Sequence, residues 1–481
     1  SKVTGSKIIV NLILRHFFIV NKYGDQLLKI ASGQLSGKNE TVARSYAIAA
    51  GYCIRIASVK KTESFGKKLI KYYFEKKVES SNDEKLPRIS SVALESISNF
   101  SNDKFNSHAS LFLPLSFIGM HDLNSDISKN FKKVWDDSTS SSVNSIKLYF
   151  PEIISLIKSH IQTQIFSLRK TIALSIIEIV DKLDTKLNDL NPADLNQLYQ
   201  ILLDSLVGRV FEGKDKLLDS LVKLACKSHK FLANNDDLYT QLEERVLNEC
   251  NRNNREYKIN SIIALGNLLN TYHENDTLYK KHLELVDGIL NREDNDSDDD
   301  LDDVNKMEVD AIETKKSSLK YVILKQSLIK NVIFSINNGE RINLDSLEYA
   351  LNQMIQLIKF TDVDLLPNSD SKFKYKKELL SLITDLVELN KNNILNKTEK
   401  ELYTDKIYEI WELSKKITGT SDNLQSIMLL FARLTGLLIG KLQMNETQRN
   451  HCIMILKVMK SDNVNSVITI ECEKILSESN I

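Results

Sequence analysis

Residues 42–57 read VARSYAIAAGYCIRIA, and the same kind of stretch returns along the chain. Ala43, Ala47, Ala50 and Gly51 put small side chains on one side, where a neighbouring helix can approach closely. Val42, Tyr46, Ala49 and Ile54 recur at spacings of three to five, the period of a helix rather than a strand. Similar stretches begin at Arg88 (RISSVALESISNF), Leu168 (LRKTIALSIIEIV), Gly213 (GKDKLLDSLVKLA) and Tyr257 (YKINSIIALGNLL). Start to start, the steps from Val42 are 46, 80, 45 and 44 residues, and 80 is about two units of 40. Such a period, with two helices per unit, predicts stacked helix hairpins, none able to bury its apolar side alone.

Composition agrees. In 481 residues there are 15 Gly and 5 Pro, about 3% and 1% against average usage of about 7% and 5%. A chain so poor in both has few tight turns and little use for strands. The expected fold class is therefore all-α, a HEAT/armadillo-like α-solenoid of stacked helix hairpins. Repeats are expected over 1–290, an acidic insertion over 291–313, and further repeats with a C-terminal cap over 314–481.

The 64 basic residues balance the 64 acidic ones, which removes the electrostatic argument for a nucleic-acid partner. The five cysteines (Cys53, Cys226, Cys250, Cys452, Cys472) form no C-x-x-C pair, and most fall in helical apolar patterns, implying a reducing compartment. No uncharged apolar run of about 18 residues predicts a membrane span. Ile8–Val20, interrupted by Arg15 and His16, reads as a core helix. The first methionine is Met120, so the expectation is a segment of a longer protein.

Between the repeats the reading is more local. Phe65–Lys77 is amphipathic, with Phe65, Leu69, Tyr72 and Tyr73 inward. Pro114 is expected to kink the apolar stretch His108–Asp122 or to begin its second part. Leu123–Asn144 reads as a polar loop apart from a short piece around Phe131–Trp135, as if one repeat were degenerate. Ser145–Gln162 then pairs with Leu168–Leu183. Asn191 caps a helix that Pro192 begins, with Asp194 in its first turn and a leucine stripe at Leu195, Leu198, Leu202, Leu203 and Leu206. After the acidic run, helices are expected at Thr314–Ile336, Leu344–Phe360, Phe373–Leu389, Thr398–Ile417, Leu424–Leu442, Thr447–Lys460 and Val464–Leu476.

Candidate chemistry is sparse, and no catalytic residue, cofactor site or metal site is expected. Gly208–Asp215, GRVFEGKD, approaches the phosphate-loop pattern but ends in Asp215 where a magnesium-ligating hydroxyl belongs. It also follows a helix where that motif needs a strand, so an inter-helix turn explains both glycines. Cys226 with His229, and His451 with Cys452, lack further ligands at structural-zinc spacing. The basic clusters Lys67–Lys77 and Lys372–Lys377 adjoin Tyr72, Tyr73, Phe373 and Tyr375. Amphipathic helix faces account for them better than base stacking.

Glu293–Asp310 holds ten carboxylates against one Lys306, a density that repels itself and buries nothing. A calcium-loop reading of Asp294, Asp296 and Asp298 fails at Asp299, where a glycine is needed, and at Asn305, where a glutamate is needed. Ser297, followed by aspartates, is a candidate phosphorylation site for an acidophilic kinase. Asp298, Asp299, Asp300, Asp302 and Asp303 are candidate contacts for a basic surface on a partner.

Five segments taken together carry a resemblance. VARSYAIAAGYCIRIA, FLPLSFIGMHD (112–122), KKVWDD (132–137), SIKLYFPEII (145–154) and LVGRVFEGKDKLL (206–218) look like the large HEAT-repeat proteasome adaptor and scaffold family. That is the proteasome-associated factor of the yeast "extracellular mutant" series, and the resemblance covers about Glu40–Leu290. It implies a non-enzymatic factor of cytoplasm and nucleus. Such a factor binds the proteasome core and regulatory particles, tethers one to the other, stabilises the assembly and acts in its quality control. The rival reading is an importin-like transport receptor that binds cargo and a Ran-type GTPase.

Overall fold

The computed structural model describes residues 2–75, 84–272, 274–291, 311–336, 344–361, 363, 366, 369–389, 396–418, 425–462 and 466–478. Among them there are helices and no strand. The helices are α1 (Lys2–Arg15), α2 (Phe17–Val20), α3 (Gly24–Gly33), α4 (Glu40–Ile54), α5 (Val59–Phe74), α6 (Lys85–Phe100), α7 (Asn102–Ser107), α8 (Ala109–Gly119), α9 (Ser125–Ser138), α10 (Ser142–Leu148), α11 (Phe150–His160) and α12 (Phe166–Leu183). They continue as α13 (Pro192–Ser205), α14 (Lys214–Lys227), α15 (His229–Leu232), α16 (Asp236–Cys250), α17 (Arg255–Thr271), α18 (Asp276–Leu290), α19 (Ala311–Ile336), α20 (Leu344–Phe360), α21 (Ser369–Leu389), α22 (Lys397–Thr418), α23 (Gln425–Lys441), α24 (Glu446–Asp462) and α25 (Ser466–Glu478). The chain divides into two compact units, residues 1–245 and 246–481.

In the first unit α1, α4, α6 and α9 pack in succession, as do α3, α5, α8, α11 and α13, and α12 packs on α14. The hairpin partners α3/α4, α5/α6, α8/α9 and α13/α14 join the two layers. The small side of α4 explains its tight seam with α6. A Cβ built on Gly51 would stand 2.4 Å from Ser96 Cβ, closer than atoms can come. The α6 surface answers with the small Ser96, whose buried hydroxyl donates to Val92 O at 2.8 Å, while Ser90 donates to Leu69 O of α5 at 2.8 Å. Ser101 Oγ, just past α6, donates to Gly51 O at 2.5 Å. Caps set the starts of the helices: Asn39, Ser58, Asn124 and Asn191 accept from the first-turn amides of α4, α5, α9 and α13.

In the second unit α17, α19, α21, α23 and α25 pack in succession, and α20 packs on α22. α18, α20, α22 and α24 pair with α17, α19, α21 and α23 respectively. Trp411 of α22 is fully buried, stacks on Phe431 and donates its indole N–H to Thr435 Oγ1 at 3.0 Å. A buried indole needs such an acceptor, and a hydroxyl one helix away supplies it.

Three expectations need correction. Leu123–Asn144 is not mainly loop: α9 spans Ser125–Ser138, capped by Asn124, with Ile127, Phe131, Val134 and Trp135 buried as one stripe. Those four apolar positions at helical spacing suffice against a polar, serine-rich background, and the repeat is complete. Ser145–Gln162 is not one helix either. Pro151 lacks an amide hydrogen and crowds the preceding turn, so the chain breaks at Tyr149 between α10 and α11. Nor is Ile8–Val20 a core helix: it breaks at His16, bends by 109°, and leaves Phe18 95% exposed. Pro114 lies inside α8, which begins at Ala109 and runs on to Gly119. No single helix among the described residues is long and apolar enough to cross a membrane.

Candidate functional site

Polar contacts between successive repeats recur at the repeat's own spacing. In the first unit Arg88 pairs with Glu40 and Lys133 with Glu95, both at 2.8 Å. Lys170 reaches Glu212 at 2.8 Å and Lys223 reaches Asp181 at 3.1 Å. The second unit repeats the pattern: Lys330–Glu378 at 2.5 Å, Lys359–Glu409 at 3.1 Å and Arg433–Glu471 at 3.3 Å. Partners stand 38 to 50 residues apart, one helix hairpin. Each exposed pair is worth about 1 kcal/mol or less. Their consequence is geometric: each one ties a cation of one repeat to a carboxylate of the next.

The GRVFEGKD turn is built to hold itself. Gly208 and Gly213 both take φ of +94°, open to glycine and strained for other residues. Lys214, which a phosphate loop would aim at its ligand, is fully buried and donates to Gly208 O at 3.1 Å. Arg169 of α12 donates to Val207 O at 2.5 Å and lies over the Phe211 ring at 4.9 Å. Lysine and arginine here pin main-chain carbonyls, so the turn is structural.

The other sequence candidates resolve similarly. Tyr72, Tyr73 and Tyr375 are buried, which removes those three rings from stacking on bases, while Phe373 is partly exposed. Lys68 is turned onto Ser32, donating to its carbonyl at 2.9 Å and its hydroxyl at 2.8 Å. Cys226 lies in the last turn of α14 while His229 opens α15, with a break at Ser228 between them. His451 Nδ1 lies 2.5 Å from the Tyr408 hydroxyl, and Cys452 is buried. Burial pushes the Cys53 and Cys452 thiols up to about 12, the opposite of a metal-ligating or nucleophilic cysteine. No group of three metal-ligating side chains occurs among the described residues. Ser297, Asp298, Asp299, Asp300, Asp302 and Asp303 lie outside the described residues.

One recess was not read from the sequence. A cavity of about 170 Å³ lies between the N-terminal halves of α20 and α22. α20 contributes Leu344, Leu347, Glu348 and Leu351, and α22 contributes Glu399, Leu402, Tyr403 and Lys406. Both sets fall at i, i+3, i+4, i+7, so each is one helical stripe, and the two stripes face each other across neighbouring repeats. Leu344 and Leu402 are 40% and 51% exposed, while Tyr403 is 3% exposed and its hydroxyl has no hydrogen-bond partner. Lys406 reaches Glu348 at 3.6 Å and Asn352 Oδ1 at 2.5 Å. The paired stripes, L-x-x-L-E-x-x-L and E-x-x-L-Y-x-x-K, are the signal that could have located the recess.

Helix hairpins stacked in two layers and tied at one-repeat spacing define an α-solenoid of the HEAT/armadillo class. Residues 1–74 match the family model for the HEAT-repeat domain of proteasome adapter and scaffold protein ECM29. Residues 225–410 match that for the ECM29 C-terminal ARM-like repeats. The chain belongs to the ECM29 family. The likeness therefore extends past Leu290, beyond the part that the five sequence segments cover. Proteasome component ECM29 of Saccharomyces cerevisiae is 24% identical over 489 residues, covering 99% of this chain and 25% of that protein. Human proteasome adapter and scaffold protein ECM29 is 27% identical over 280 residues, 56% of this chain and 15% of that protein. This chain thus spans a quarter or less of the length of these relatives. Among solved structures, importin beta covers 96% of this chain and 53% of its own at 11% identity and a TM-score of 0.52, a likeness of fold alone.

Proposed function

We propose that this chain is part of a non-enzymatic proteasome-associated scaffold of cytoplasm and nucleus. In this reading it contacts the core and regulatory particles, helps tether one to the other, and acts in stabilising and checking the assembly. The observation that carries the reading is the polar pairing of repeats at one-hairpin spacing, in a family whose curated relatives are named as proteasome components and scaffolds. Within each unit the pairing holds helix faces in fixed register. That suits a body offering several weak contacts whose linkage multiplies their strength.

Co-sedimentation with purified proteasomes tests this. Retention at low salt is the expected result, and no retention would overturn the proposal. The transport-receptor alternative rests on fold likeness alone, and a pull-down with a Ran-type GTPase separates it.

A further inference from the structure

We propose that the recess between α20 and α22 is a docking site for a proteasome-subunit segment that inserts one large apolar side chain flanked by lysine or arginine. This deepens the scaffold reading and rests on it.

The size of the recess selects the occupant first. Small-molecule sites take about 300–1,000 Å³. At about 170 Å³ this cavity suits a single large side chain, not a drug-sized ligand or cofactor. Its walls are leucines, and two of them, Leu344 and Leu402, remain substantially exposed where the inward leucines of the same helices do not. Covering them removes apolar surface from water, the usual drive for an anchor residue.

Charge selects the flank. The lining carries two carboxylates, Glu348 and Glu399, against the single ammonium of Lys406. That ammonium already serves Glu348 and Asn352, while Glu399 accepts from the exposed Asn396 amide at 2.8 Å. The balance is net negative, so a basic neighbour is attracted and an acidic one repelled. An apolar anchor beside a basic flank describes a peptide segment.

The test places the photocrosslinker p-benzoylphenylalanine at Leu402 and irradiates the full chain with purified proteasomes. A crosslink to a proteasome-subunit segment containing lysine or arginine is expected. A crosslink only to a second copy, or only within the chain, overturns the docking assignment. In parallel, Leu402→Glu and Leu344→Glu change exposed positions and are checked by circular dichroism. With unchanged helicity, each should weaken co-sedimentation by about tenfold, the scale of a buried anchor residue. If the unaltered chain is retained and both variants are retained equally, the groove assignment falls while the scaffold reading survives. If the unaltered chain is not retained at all, both fall.

Discussion

Arg88 and Glu40 lie 48 residues apart in sequence, yet the guanidinium donates to the carboxylate at 2.8 Å across the α4–α6 seam. The contact holds the Arg88 guanidinium above its ordinary range, chiefly through that hydrogen bond. Both side chains are partly exposed, so solvent screens the pair. A double-mutant cycle with Arg88→Ala and Glu40→Ala should return a coupling of about 0.5–1 kcal/mol in urea unfolding. It should shrink as salt rises past about 0.5 M. A coupling indistinguishable from zero at low salt would remove the pair from the interactions that register α4 on α6.

Two helical glycines should respond to alanine with opposite signs. In helix interiors alanine is favoured over glycine by about 1 kcal/mol. At Gly288 in α18 a Cβ meets nothing within 4 Å, so Gly288→Ala should stabilise by about that amount. At Gly51 the new carbon would stand 2.6 Å from the Ser96 carbonyl carbon, which is main chain and cannot swing aside. Overpacking of this kind costs about 1–3 kcal/mol and outweighs the propensity gain. Thermal unfolding midpoints should rise for the first variant and fall for the second.

Much of this was legible in the sequence because apolar spacing and capping residues are local signals. The Asn191 cap, the leucine stripe from Leu195 to Leu206, and the two glycines of the 208–213 turn are found as read. α9 was hidden because four apolar side chains stand among serines, lysines and aspartates, and their helical spacing is easily lost in that composition. The break at Tyr149 turned on one proline inside an otherwise periodic run. The α20–α22 recess was hidden for a different reason. Each stripe is ordinary alone, and the recess exists only because packing places two of them side by side.

Glu249 is fully buried and lies between Arg252 and Tyr257. Arg252 donates twice, at 2.8 and 3.1 Å, and the Tyr257 hydroxyl once, at 2.8 Å. Removing one partner of a buried ion pair leaves an uncompensated charge, which costs about 3–5 kcal/mol. Arg252→Ala should approach the lower end, since the guanidinium is 32% exposed and water can partly replace it. Glu249→Gln in the same background should recover part of the loss, because it removes the stranded charge. Urea midpoints of the three proteins check the order.

His282 sits fully buried among α17, α18 and α19, and burial pulls its imidazole down from 6.5 to about 4. The nearby Asn331 side chain and Ile262 main chain act the other way and are the weaker influence, and neither ring nitrogen is hydrogen-bonded among the described residues. The folded ring is therefore neutral at pH 7, whereas in the unfolded chain it takes a proton below about 6.5. Stability from this residue is complete above that pH and is lost as pH falls toward about 4, where the folded form also protonates. At about 1.36 kcal/mol per unit, the full span is on the order of 3 kcal/mol. His121, lowered to about 4 by the same cause, adds a similar contribution in the first unit, so acidification weakens both. His282→Leu should flatten the fall in unfolding midpoint between pH 7 and pH 4.5, whatever it does to stability at neutral pH. An unchanged slope would mean that His282 keeps an ordinary titration in the folded chain and that its burial carries no pH dependence.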